Sequence, residues 1–188
     1  ELLEQHHEGI IALSACLAGE IPRALSRGDY DGAKETALWY DQLFGRGNYF
    51  LELQDHGLRE QKQINPLIIR LSRETGIPLV VTNDTHYIDK EDARVQQVLI
   101  CIQTNHTVGE ETGLEFETQE FYLKSEEEMR LLFPELPEAF DNTVKIAQRC
   151  NVTFTFGETK LPHFDVPGGE DHFEYLTRMC EEGLHARY

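Results

Sequence analysis

Long apolar runs, paired cysteines and basic side chains are all scarce in this sequence, and each scarcity excludes something. No stretch approaches the roughly 20 apolar residues that a membrane-crossing helix needs, so no bilayer span is expected among the 188 residues. The cysteines at 16, 101, 150 and 180 lie far apart with no C-x-x-C pair. That spacing argues against a zinc ribbon or a disulfide scaffold and fits a reducing cytoplasm. Lysine and arginine number 17 against 34 acids, a formal charge of −17. Direct nucleic-acid binding needs clustered bases to neutralise phosphates, so this balance weakens it. A phosphodiester-acting metal site is still open, because a bound cation reverses the local sign. The acidic excess sits largely in residues 110–111, 126–128 and 181–182, which read as solvated faces and helix starts.

What is present is a core's worth of apolar residues, 40% of the chain, in an alternating pattern. Residues 9–13 read as a buried strand with Ser14, Ala15 and Cys16 at its C-terminal end. A helical stretch follows to the neighbourhood of Gly28. Asp29 can cap the next helix, whose Ala33, Ala37, Tyr40 and Phe44 keep helical spacing. Residues 49–53 (Tyr-Phe-Leu-Glu-Leu) read as a second strand leading into Gln54, Asp55, His56 and Gly57. A helical segment to Thr75 contains Pro66, which either kinks it or starts a helix capped by Asn65. Gly76 closes it before a third strand at residues 79–81. Strand, helix, strand, helix, strand predicts parallel pairing with crossovers, hence an α/β class: an open sheet or a β/α barrel.

The C-terminal ends of parallel strands are where ligands and catalytic groups collect in such folds. Three polar groups follow these ends: Cys16, His56 and the Asp84/His86 pair. In extended backbone Asp84 and His86 project the same way. A thiolate, a carboxylate and an imidazole converging there suit zinc or manganese. Each has a plainer reading: Cys16 as a small buried hydrophobe, His56 in a turn made by Asp55 and Gly57, Asp84 as a cap beside a surface histidine.

Beyond residue 90 the pattern turns helical. Residues 90–103 place Val95, Val98, Leu99 and Ile102 at helical spacing behind the acidic first turn of Glu91 and Asp92. Residues 107–120 read as a loop and 121–123 as a short strand. Ser125 opens a capping box ahead of Met129, Leu132 and Phe133, which read as core. Pro137 starts a helix with Phe140, Val144 and Ala147 on one side. Cys101 and Cys150 read as small buried residues. Residues 152–156 alternate like a strand, residues 161–169 have a linker's Pro and Gly content, and residues 170–188 form a last helix. Its stripe of Phe173, Leu176, Met179 and Cys180 is expected to be partly uncovered. His163 and His172 read as surface histidines.

Three segments in order, Leu13-Ser14-Ala15-Cys16-Leu17-Ala18-Gly19-Glu20, Phe50-Leu51-Glu52-Leu53-Gln54-Asp55-His56-Gly57 and Val81-Thr82-Asn83-Asp84-Thr85-His86-Tyr87, resemble the latter half of the PHP (polymerase and histidinol phosphatase) domain. The form is that of bacterial replicative DNA polymerases, and the runs at residues 121–129 and 140–152 resemble the same proteins. The resemblance implies part of a distorted, TIM-like β/α barrel over residues 1–160, its N-terminal strands missing. A linker and first helix toward the polymerase body follow over residues 161–188. It implies a cluster of divalent metals, zinc or manganese, with Cys16, Asp84 and His86 at ligand positions and His56 near the cleft but not a ligand. The family's opening His-x-His and the other ligands before the Cys have no counterpart here and are expected upstream of Glu1. The opening residues 1–7 fit that reading as a cut helix tail.

The implied activity is phosphoester hydrolysis, in polymerases a 3′→5′ exonuclease. The nucleotidyl-transfer site and its magnesium are expected outside the chain. The implied partners are DNA, deoxynucleotides and other replicase subunits, and edges left by absent strands are expected to favour self-association. A free-standing phosphatase acting on a small phosphate ester, and a non-catalytic bracing or docking module, are the alternatives.

Overall fold

A computed structural model describes residues 1–110 and 116–188. They divide into two compact units, Glu1–Asn151 and Val152–Tyr188. The first unit opens with a short helix, α1 (Leu2–Gln5). It then alternates β1 (Ala12–Leu13), α2 (Glu20–Ser26), α3 (Tyr30–Phe44), β2 (Tyr49–Leu53), α4 (Arg59–Thr75) and β3 (Leu79–Val81). The strands form one parallel sheet in the order β1-β2-β3. Ala12 lies opposite Tyr49, and Leu51, Glu52 and Leu53 lie opposite Leu79, Val80 and Val81.

Local chemistry fixes these bounds. The Asp29 carboxylate accepts from Gly32 N at 3.0 Å and starts α3, satisfying an amide that the helix itself leaves unpaired. Gly76 ends α4 in a left-handed conformation, φ 75°, which glycine adopts without a Cβ penalty. Pro66 lies inside the continuous α4, and Asn65 donates to Gln54 O at 2.9 Å rather than capping. Strand β1 is shorter than its apolar run. A turn closed by Ile10 N and His7 O, with Gly9 at φ 75°, occupies the preceding backbone.

The core joins Ile21 and Leu25 of α2, Ala33, Ala37 and Phe44 of α3, and Ile64, Ile68 and Leu71 of α4 to Leu51, Leu53, Leu79 and Val81 of the sheet. A turn at Lys90–Asp92 leads into α5 (Ala93–Thr104), followed by α6 (Glu126–Leu132) and α7 (Pro137–Arg149). The Ser125–Glu128 capping box starts α6. Phe133 and Phe140 enter the core, and α7 packs on β3, where Asn142 donates to Leu79 O at 2.7 Å.

Several expectations are corrected. The buried side of α5 is Ile100 and Cys101, while Val95, Leu99 and Ile102 are exposed. On α7 Phe140 is buried, but Val144 and Ala147 are exposed, as is Cys150. Residues 121–123 make only an isolated bridge, Tyr87 to Tyr122. The loop expected at 107–120 has no helix or named strand at 107–110 and 116–120; residues 111–115 lie outside the described residues.

The second unit contains α8 (His172–Arg187), capped by the Asp171 carboxylate on Phe173 N and Glu174 N. Residues 152–156 form no strand there, since alternation without a partner strand leaves backbone groups to water. No residue of α8 is buried, and Phe173, Leu176 and Met179 are exposed. Among the described residues no helix is long and apolar enough to cross a membrane.

Candidate functional site

Three strand ends supply the chemistry. After β1, Ser14 N donates to Phe50 O at 3.0 Å, and Ser14 Oγ accepts from Glu52 N at 2.8 Å. The chain then turns through Ala15 at φ 66° to the half-buried Cys16. Gly19 N closes this loop on Cys16 O at 2.8 Å. A Cβ at Gly19 would meet Ser14 O at 2.3 Å, so the tight return requires glycine.

Strand β2 and the residue that follows it carry two polar side chains, Glu52 and Gln54, into a buried layer. Glu52 and Gln54 are 9% and 8% exposed. Gln54 Nε2 donates to Glu52 Oε1 at 3.0 Å and to Thr82 Oγ1 at 3.1 Å. Those contacts orient the amide, because a flipped oxygen would face the carboxylate. Gln54 Oε1 is buried with no partner among the described residues. A small cavity of about 10 Å³ touches Cys16, Glu52, Gln54, Gln61 and Asn65, room for about one water molecule. The overlooked signal was a charge inside a strand paired on both sides, where parallel strands are normally continuously apolar.

His56 follows β2 and is 1% exposed. Its Nε2 faces Asn83 O at 2.5 Å and its Nδ1 faces Gln61 Nε2 at 2.9 Å. A carbonyl only accepts, so Nε2 carries the proton and Nδ1 accepts from the amide. The ring stacks on Phe121 at 4.1 Å. Both nitrogens are spent, and no lone pair remains for a metal.

The Asp84/His86 pair is close, but not through strand alternation. Strand β3 stops at Val81 and Asp84 turns left-handed at φ 48°. His86 Nδ1 lies 2.8 Å from Asp84 O and 3.9 Å from its Oδ1. With the Nδ1 proton donated to that carbonyl, the neutral ring keeps its Nε2 lone pair. The turn is pinned by His86 N on Phe121 O at 2.8 Å and by Asn83 Nδ2 on Tyr122 O at 2.8 Å. Phe116 and Phe121 stand edge-on to the imidazole at 4.8 and 5.4 Å.

Charges beside this turn are mutually paired. Lys124, its side chain 3% exposed, donates to Glu120 O and sits 4.3 Å from the Tyr122 ring centre. Burial pushes its ammonium below the usual lysine range. Tyr122 donates to Glu128 at 2.7 Å, and that bond, with dehydration, pushes the phenol up to about 12.

Asp84 and His86 are thus brought together, whereas Cys16 lines a cavity that neither of them lines. Among the described residues no three His, Cys, Asp or Glu side chains form a group able to hold a metal ion. The donors fit zinc or manganese in kind. They do not fit in number, since even an open zinc site takes three protein ligands.

Comparison with known proteins gives the class first. Residues 1–56 match the family model described as the PHP domain. The whole chain is also 48% identical to DNA polymerase III subunit alpha of Treponema pallidum over 191 residues, which is 16% of that protein. It is 43% identical to that of Borreliella burgdorferi over 99% of the chain, again 16% of the relative. It is 40% identical to that of Thermus aquaticus over the full chain, 16% of the relative. The chain is therefore a homologue of bacterial DNA polymerase III alpha subunits, with PHP-domain sequence at its start. It spans about one sixth of the length of these relatives.

Proposed function

We propose that the chain is part of the PHP region of a replicative polymerase alpha subunit, and that Cys16, Asp84 and His86 supply part of a divalent-metal shell for phosphodiester hydrolysis. The reaction class is 3′→5′ exonucleolytic, and the barrel closes with strands beyond the three described. One observation supports the reading: the Asp84–His86 turn fixes a carboxylate beside an imidazole whose Nε2 has no partner among the described residues. In a shell completed by further ligands, zinc or manganese would supply Lewis acidity at a phosphoryl oxygen. The chain's own contribution is orientation. The Asp84 carbonyl sets the His86 tautomer, and Phe116 and Phe121 hold the ring against rotation.

On this reading DNA, deoxynucleotides and other replicase subunits are partners of the whole polymerase. Its magnesium-dependent transfer site lies outside these residues and its setting is the cytoplasm. The test is a manganese-dependent nuclease assay on the polymerase subunit. Activity of the unmodified subunit equal to that of His86→Ala sinks the proposal. A bracing or docking role without catalysis is the second reading, favoured by the uncovered apolar faces of α5 and α8 and by the acidic charge. In that case His86→Ala leaves nuclease activity unaltered, while charges placed on α5 weaken assembly.

A further inference from the structure

The chain carries 34 acids against 17 bases, and three of its clefts set the two signs side by side. Arg23 shares one with Glu20, Arg130 one with Glu126 and Asp141, and Arg73 one with Glu135. A cleft of about 340 Å³ between α5, Tyr87 and residues 116–119 breaks that pattern. Among the described residues it is lined by a cation, Arg94, and by no carboxylate. No described carboxylate forms an ion pair with Arg94. Tyr87, 8% exposed, lines the same cleft. Its hydroxyl oxygen accepts from Phe121 N at 3.3 Å, while its own proton meets no described acceptor and is left to donate. The amides of Gln97 and Gln119, the Phe116 ring and Ile100 stand beside them.

We infer that this cleft binds a phosphate ester carrying a planar base, with the size and chemistry of a nucleoside monophosphate. Its volume stands at the lower end of small-molecule sites, roughly 300–1,000 Å³. A guanidinium with no acid to neutralise it takes a phosphate through paired N–H donors. The Tyr87 hydroxyl supplies a donor for a further oxygen. Phe116 offers the base a ring to stack on, and each glutamine amide brings a donor and an acceptor to match a base edge. An apolar ligand would leave the guanidinium without a counter-ion, and a bare anion would leave the ring and amides unused. No metal enters this binding, and none of Cys16, Asp84 and His86 lines the cleft. Phe116 also touches the His86 ring at 4.8 Å, so the ligand would sit beside the Asp84–His86 turn.

The test titrates the full chain, with EDTA present throughout, using thymidine 5′-monophosphate and inorganic phosphate, and follows amide shifts by NMR. The monophosphate is expected to bind with a dissociation constant of about 1 mM or tighter. It should move the Arg94, Tyr87 and Gln119 amides while Leu53 stays in place. Arg94→Ala should weaken it about tenfold or more, because a charge-assisted bond to phosphate is lost. Phe116→Leu should weaken it as well, through lost stacking. Inorganic phosphate should bind less tightly than the monophosphate. No saturable binding by about 10 mM, equal affinity in Arg94→Ala, or inorganic phosphate binding as tightly overturns the inference. Arg94 is exposed, so the alanine variant is expected to keep its urea midpoint; should it unfold, Arg94→Gln decides by the same criterion. A short oligothymidylate binding more tightly than the monophosphate makes a strand end the source of the ligand, and one binding no more tightly makes it the free nucleotide; either result supports the site. Failure of the manganese-dependent nuclease assay would remove the metal reading and leave these outcomes as they stand, because the chelator excludes metal from all of them.

Discussion

Two histidines follow the ends of two adjacent parallel strands, and they live in opposite circumstances. His56, after β2, is sealed, with both ring nitrogens engaged and a phenyl face against it. His86, after β3, has a third of its side chain open and, among the described residues, engages one nitrogen, through Nδ1. Both rings touch the same Phe121, one flat and one edge-on. The lesson concerns how a histidine is recruited. Topological place brings it to the strand ends, but only an unspent nitrogen equips it for coordination.

Replacing His56 with alanine should give the largest effect. It strips partners from the Gln61 amide and Asn83 carbonyl and leaves a void under Phe121. A loss of about 3 kcal/mol is expected in urea unfolding; a loss below about 1 kcal/mol would mean that the ring is not the keystone its contacts imply. Next comes the third strand end. Gly19→Ala drives a Cβ into Ser14 O and should cost about 1–3 kcal/mol as the Cys16 loop shifts. Unaltered thermal stability and unaltered Cys16 labelling rates would show that the loop yields freely.

His86→Ala should cost less than about 1 kcal/mol in urea unfolding, because a third of the side chain is open and only Nδ1 is engaged among the described residues. A stability loss equal to that of His56→Ala would erase the distinction between the two histidines. The smallest effect is the background against which both are read. Lys34 and then Arg70 hold the Glu74 carboxyl down to about 2 from its ordinary 4.5. Its folded value is the lower one, so its contribution is complete above about 4.5 and disappears as pH falls through about 2. The melting-temperature gap between the unmodified chain and Glu74→Gln should therefore be present at pH 6 and close by pH 2. A gap that persists at pH 2 contradicts the pairing.

Much of the first unit was legible because its signals are local. Asp29, Gly76 and Ser125 each act within one helical turn, and the runs at 49–53 and 79–81 became strands at those bounds. What was not legible depends on partners. The stripe Val95, Leu99 and Ile102 has the same spacing as the buried Ile64, Ile68 and Leu71, yet it is uncovered. Periodicity states which face seeks cover, not whether cover is there. Residues 152–156 alternate as a strand does and find no neighbour to pair with. At the site, the nearness of Asp84 and His86 was foreseen from an extended backbone, whereas a left-handed residue creates it. Glu52 was hidden by the hydrophobes around it, although a charge in such a setting is itself a signal.

The left-handed backbone at Asp84 filters the amino acids that position can hold. Aspartate, asparagine and glycine enter this region at little cost, while β-branched residues are excluded by sterics before any chemistry is asked of them. Asparagine at 84 therefore removes the negative charge while preserving the bend, and glycine removes the side chain while preserving it too. The shape of this corner and its electrostatics can accordingly be varied independently.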